Sequence, residues 1–306
     1  MVNSTQGSYF TFSAYSHSGP MKHVFFFIVL LLYMLIVFAN LFLIVLISVT
    51  RSLHEPMYVF MCSLFVNELF CSMWLFPFLL VQILSDTHNI SASFCFLQIF
   101  CVYSYGSIEY ANLVIMAYDR YLAICFPLQY NTRMTTYRVV VLISLSWLFP
   151  FLGIIVVVSL IVPLQFCGNI INKVYCDNYS TVKLACSDTT IINIYGIMYA
   201  SFIISCPSCV IFYTYMQILK VCFSGSKQTR QKAFSTCTPH LASLLNFSCG
   251  AFFEIIQSRF NMSSVPNMLR IFLSLYFLTC QPLFNPVMYG LNITKIRSTC
   301  RSLGLK

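Results

Sequence analysis

Seven apolar runs dominate this sequence, each long enough to cross a lipid bilayer as a helix. They are Val24–Val49, Met57–Ile83, Phe94–Ile124, Val139–Val162, Ile191–Val221, Ala233–Phe253 and Ile271–Leu291. Spanning the hydrocarbon core takes roughly 20 apolar residues in helical form. The runs are continuous rather than alternating, which excludes a membrane β-barrel. Only 8% of the 306 residues are charged against 59% hydrophobic, far too little charge for a soluble domain of this size. The expectation is an all-α membrane protein, a seven-transmembrane helix bundle. An extracellular tail (1–23) precedes the bundle (24–291). A cytosolic tail (292–306) follows it, carrying a short amphipathic C-terminal helix.

Basic residues set the orientation. With Arg51 placed inside and the spans alternating from there, twelve of the lysines and arginines fall on the inner side. Five fall outside: Lys22, Lys173, Lys183, Arg259 and Arg270. This asymmetry fits the positive-inside rule with the N-terminus out and the C-terminus in; the expected location is the plasma membrane. No cleavable signal peptide is visible, so the first span is expected to direct its own insertion. Asn3-Ser4-Thr5 is a glycosylation sequon on the outer tail.

Four cysteines face the oxidising side in this topology: Cys95, Cys167, Cys176 and Cys186. They allow three pairings, and spacing does not choose among them. A bond to Cys95 would pin the long segment Pro163 to Thr190 across the mouth of the bundle.

Ionisable groups inside the membrane cost on the order of 3 kcal/mol each, so each needs a reason. Glu68 and Glu109 lie mid-span and should face the bundle interior. There they could share a proton or hold a weakly bound small cation, with Asn40 and Asn285 as partners. A buried polar network that only joins helices would account for them equally well. Pro207, Pro282 and Pro286 interrupt spans five and seven and permit kinks. At the inner end of span three, Asp119-Arg120 sets an acid beside a base in a run that otherwise reads as membrane. An arginine neutralised by its neighbour can rest at the interface; once released, its guanidinium can bind helix C-terminal carbonyls of a partner.

Asp119-Arg120-Tyr121, together with its surroundings, resembles the switch of the rhodopsin-like G-protein-coupled receptors. Asn40 and Trp147 match the markers of helices one and four. Pro207 with Tyr215 resembles the pair of helix five, and Asn285-Pro286-Val287-Met288-Tyr289 is the N-P-x-x-Y pattern of helix seven. The stretches "LHEPMYVFMCSL" (53–64), "MAYDRYLAICFPLQY" (116–130), "KAFSTCTPHL" (232–241) and "PLFNPVMYGL" (282–291) resemble the odorant receptors. "SLFVNELF" and "NFSCGAFFEI" look like the fish-type branch. Two departures stand out: Glu68 replaces the usual Asp, and helix six lacks C-W-x-P.

The resemblance implies bridges Cys95–Cys176 and Cys167–Cys186. It implies a pocket from Val102, Tyr103, Gly106 and Ser107 on helix three, with Tyr199 and Ile203 on helix five. Ser248, Ala251, Phe252 and Ile255 on helix six would complete it, closed by Tyr276 or Leu275. Coupling would run through Asp119, Arg120, Tyr121, Tyr215, Lys232, His240, Asn285, Pro286 and Tyr289. The implied partners are a small-molecule odorant, a stimulatory heterotrimeric G protein that raises cyclic AMP, and the bilayer.

The pocket set contains no carboxylate, which favours an uncharged or weakly polar ligand. Nothing resembles a hydrolytic triad, a phosphate loop or a clustered metal site, so no enzymatic activity, cofactor or nucleic-acid partner is expected. A rhodopsin-like receptor for another small ligand is the alternative. A transporter or channel would also tolerate intramembrane acids and broken helices, but would usually show repeated halves.

Overall fold

A computed structural model describes residues 9–17, 21–224, 227–259, 265 and 267–302. Its membrane-length helices are α1 (Lys22–Val49), α2 (Pro56–Leu84), α3 (Ala92–Cys125), α4 (Thr136–Ile161), α5 (Thr190–Ser224), α6 (Lys227–Arg259) and α7 (Asn267–Asn292). The short helix α8 (Thr294–Ser302) follows. In lipid every backbone polar group must be satisfied within its own segment, which makes helix the only conformation open to such runs. Their starts are locally encoded. Pro56 occupies the first turn of α2, where its missing N–H costs nothing. Ser91 and Thr135 cap α3 and α4, accepting from the Phe94 and Arg138 amides at 3.4 Å.

The bundle inverts the soluble pattern. Large apolar side chains such as Phe27, Leu31 and Phe38 point outward, whereas Asn40, Asn67, Glu68 and Glu109 are buried. Helix α3 is the axis, packed against α2, α4 and α5. Helix α7 bends by 49° between Tyr276 and Leu278. Pro282 lies four residues beyond Leu278; without an N–H it leaves that turn's carbonyl unbonded, and its ring crowds the same group. Helix α6 begins at Lys227, six residues before the apolar run, because Lys, Gln and Arg continue a helix well outside hydrocarbon.

One end of the bundle carries both disulfides. Cys95 at the start of α3 is bonded to Cys176, and Cys167 to Cys186, with Cα separations of 5.5 and 5.2 Å. Here the N-terminal segment is not a free tail. Strand β1 (Tyr9–Phe12) is the centre of a three-stranded sheet, antiparallel to β2 (Asn89–Ser91) and parallel to β3 (Ile170–Ile171). Its alternation turns Phe10 and Phe12 inward, onto Phe166 and Phe78. The Tyr15 hydroxyl donates to the Val174 carbonyl at 2.6 Å. Asn3 lies outside the described residues.

Candidate functional site

Beneath this cap is a cavity of about 410 Å³ between α3, α4, α5 and α6, roofed by the 163–190 loop. Val102, Tyr103, Gly106, Ser107, Tyr199, Ile203, Ala251 and Ile255 line it. Four other residues of the implied set, Ser248, Phe252, Leu275 and Tyr276, are not in its wall. Phe252 is 60% exposed on the outer face of α6. The Ser248 hydroxyl is taken by Tyr110 at 3.3 Å, and the Tyr276 hydroxyl donates to Asn246 at 2.7 Å. The helical repeat explains Phe252: it follows Ala251 by one residue, about 100° round the helix.

Sequence reasoning also missed the cavity's polar end. Glu254 lines the wall, so the set does contain a carboxylate. Its Oε1 accepts from Lys173 Nζ at 2.5 Å and from the Tyr175 hydroxyl at 2.7 Å. Asp177 stands 3.7 Å from the same ammonium and caps the short helix Asn178–Val182 through the Ser180 amide. Burial works against the charge on Lys173, but Asp177 and Glu254 outweigh it and hold the group above the ordinary lysine range. The only sequence signal was one of charge: an acid ending an apolar run, and a lysine between two outer cysteines.

Halfway along the bundle is a buried polar cluster. The Asn285 amide donates to Glu68 at 2.5 Å and to Glu109 at 2.9 Å, bridging the two carboxyl groups. Tyr105 donates to the other Glu68 oxygen, and Gln281 and Asn67 donate to Glu109. Ser243 closes the ring by donating to Asn285 Oδ1 at 2.6 Å. Asn40 donates to the Pro282 carbonyl at 2.9 Å, fastening α1 to α7 just past its bend.

At the opposite end Asp119 is fully buried and both its oxygens are engaged. Arg120 donates to Oδ2 through Nε and Nη2, and Tyr130 donates to Oδ1 at 2.7 Å. Burial, and then the Asp119 carboxylate, push the Tyr130 phenol up, so it remains a donor. Tyr121 packs edge-on against Phe126.

His240 on α6 meets the Leu113 carbonyl through Nε2 at 2.8 Å and the Tyr215 hydroxyl through Nδ1 at 2.6 Å. A carbonyl can only accept, so Nε2 carries a proton and Nδ1 of the neutral ring receives the phenol. One side chain thus joins α3, α5 and α6. Pro286 and Tyr289 are buried, with Tyr289 against Phe65. The Lys232 side chain lies outside the described residues.

Comparison with known proteins points to one family. The family model described as olfactory receptor matches residues 29–305. Olfactory receptor 52N5 of Homo sapiens is 36% identical over 276 residues, covering 88% of this chain and 84% of that receptor. Olfactory receptor 6E1 of Mus musculus is 33% identical over 303 residues, covering 98% and 96%. Among solved structures, squid rhodopsin superposes with a TM-score of 0.74 at 16% identity, over 92% of this chain and 80% of that one. The last similarity speaks to the fold.

Proposed function

The chain belongs to the olfactory receptor family, and from that premise we propose that it binds a small odorant in the cavity beneath the disulfide-bonded loop and signals from the Asp119 end to a stimulatory heterotrimeric G protein, raising cyclic AMP. The observation that carries the reading is the cavity itself. At about 410 Å³, with aromatic, small and hydroxyl-bearing walls, it has the size and character of a small-molecule site. Disulfides belong on the oxidising side and the excess of basic residues on the cytosolic side. Both support a cavity that opens to the outside of the cell, with Arg120 on the cytosolic side.

The ligand acts by binding one arrangement of the bundle better than the other. Its wall includes Phe247, Ala251, Glu254 and Ile255 of α6. Further along the same helix, His240 holds α6 to Leu113 and Tyr215. A shift of α6 that improves ligand contacts breaks that junction, frees Tyr215 and opens the face beside Arg120. Glu68, Glu109 and Asn285 lie between the two ends, where a shared proton or weakly held small cation would set the balance.

The test is to express the full chain with a stimulatory olfactory-type G protein and screen pooled odorants for cyclic AMP. A ligand whose response is lost on filling the cavity, as in Gly106→Trp at unchanged surface level, supports the proposal. Responses indifferent to cavity substitutions, or ligand-driven current in isolated membranes without G protein, would overturn it.

A further inference from the structure

The polar end of the cavity holds unbalanced charge. Lys173 lies between two carboxylates, 2.5 Å from Glu254 Oε1 and 3.7 Å from Asp177 Oδ2. The three side chains are 6%, 12% and 2% exposed. One ammonium against two carboxylates leaves one negative charge in excess, away from water. Arg259 also borders the cavity, but at its exposed rim, with its guanidinium 4.3 Å over the Tyr179 ring and no ion pair among the described residues. Solvent screens a charge so placed far more than the buried three.

Hydrogen bonding is unbalanced in the same sense. Glu254 Oε2, Asp177 Oδ1 and Asn178 Oδ1 are buried oxygens with no donor among the described residues. Glu254 and Asn178 both line the cavity. Two hydroxyls beside Glu254 are already engaged. The Tyr175 hydroxyl is on Glu254 Oε1, and Ser258 donates to the Glu254 carbonyl while accepting from Lys173 at 2.7 Å. A buried acceptor left without a donor is costly, and more so when charged.

What is missing is one positive charge bearing several N–H donors. We propose that the cavity takes a small primary amine in its ammonium form, donating to Glu254 Oε2, with its hydrocarbon chain along the apolar wall of Val102, Ile203 and Ile255. Two cations and two carboxylates then close the charge balance. An alcohol of the same length supplies one donor and leaves the charge. A carboxylate adds a second negative charge. The proposal rests on the cavity's being the ligand site, and its test separates the two ideas.

The purified full-length receptor is heated at pH 7 with hexylamine, hexan-1-ol or hexanoate, and the same compounds are applied to cells while cyclic AMP is recorded. Hexylamine should raise the unfolding temperature, with an apparent Kd at least about tenfold below those of the other two, as a charge-assisted hydrogen bond provides. Glu254→Gln should weaken hexylamine about tenfold or more. Because that variant leaves Lys173 with Asp177 as its one carboxylate, the double variant Lys173→Gln/Glu254→Gln serves as its control for folding and should lose hexylamine equally.

Hexanol or hexanoate binding as tightly as hexylamine would overturn the ammonium site and leave the cavity reading intact. So would undiminished hexylamine binding by the double variant. Hexylamine binding that needs Glu254 but evokes no cyclic AMP would uphold the ammonium site and count against the signalling reading. Binding of none of the three would overturn the proposal.

Discussion

Gly153 controls the cavity without being part of its wall. A Cβ on this α4 residue would collide with the Tyr199 ring, so the glycine gives that ring its place against α4. The Tyr199 hydroxyl stays there through Ser107 at 3.3 Å and the Pro150 carbonyl at 3.4 Å. Gly153→Ala should push the ring into the cavity, at an overpacking cost of about 1–3 kcal/mol that the longest ligands feel first. In a homologous ligand series, potency should fall about tenfold or more for long members and little for short ones. A uniform shift along the series would show that the ring moves elsewhere.

Asn285 offers a second test at this scale. Its amide bridges Glu68 and Glu109, so Asn285→Asp replaces the shared donor with a third carboxylate. Breaking a buried charged network in this way costs roughly 3–5 kcal/mol. Surface immunostaining should show most of the receptor retained inside the cell. Normal surface levels would mean that a cation or extra protons already compensate the cluster.

Among the elements, what was legible followed from length, and what was not followed from partners. The helices announce themselves because apolar runs of spanning length have one stable form in lipid. The polar start of α6 carries no hydropathy signal, and β1 has only four residues, Tyr9–Phe12, whose alternation means nothing until β2 and β3 flank it. The cavity face of α3 was legible because 103, 106 and 107 share a helical side. Glu254 was not, since only the folded loop brings Lys173 to it.

The cap makes an element-scale prediction. Cys95–Cys176 closes a loop of sequence separation 81 and seats the Cys176 amide on Gln98 at 2.8 Å. Cys176→Ser should cost about 2–5 kcal/mol and sharply reduce surface delivery. Phe12→Ala, which removes a buried ring of β1 but no covalent link, should loosen the cap with a milder loss. Surface levels and ligand response unchanged in Cys176→Ser would leave the bridge without a structural role.

At the scale of the whole molecule, the cavity and the Asp119 end are coupled only if the Asp119 end has two arrangements. The one seen here is closed. Asp119 spends one oxygen on Arg120 and the other on Tyr130, while His240 holds α6 against α3 and α5. Asp119→Asn removes the charge that restrains the arginine and should raise basal cyclic AMP. Tyr130→Phe removes a single hydrogen bond of about 1 kcal/mol and should raise it less. Arg120→Ala should abolish ligand-driven cyclic AMP while ligand affinity changes little, because the cavity lies at the far end of α3. The measurements are cyclic AMP at matched surface expression and ligand-induced thermal stabilisation of each variant. A well-expressed Arg120→Ala receptor with near-normal cyclic AMP would reduce the arginine to an anchor of topology at the membrane boundary. Basal activity that rises in Asp119→Asn but not in the Asp119→Asn/Arg120→Ala pair would instead identify the freed guanidinium as the group that engages the G protein.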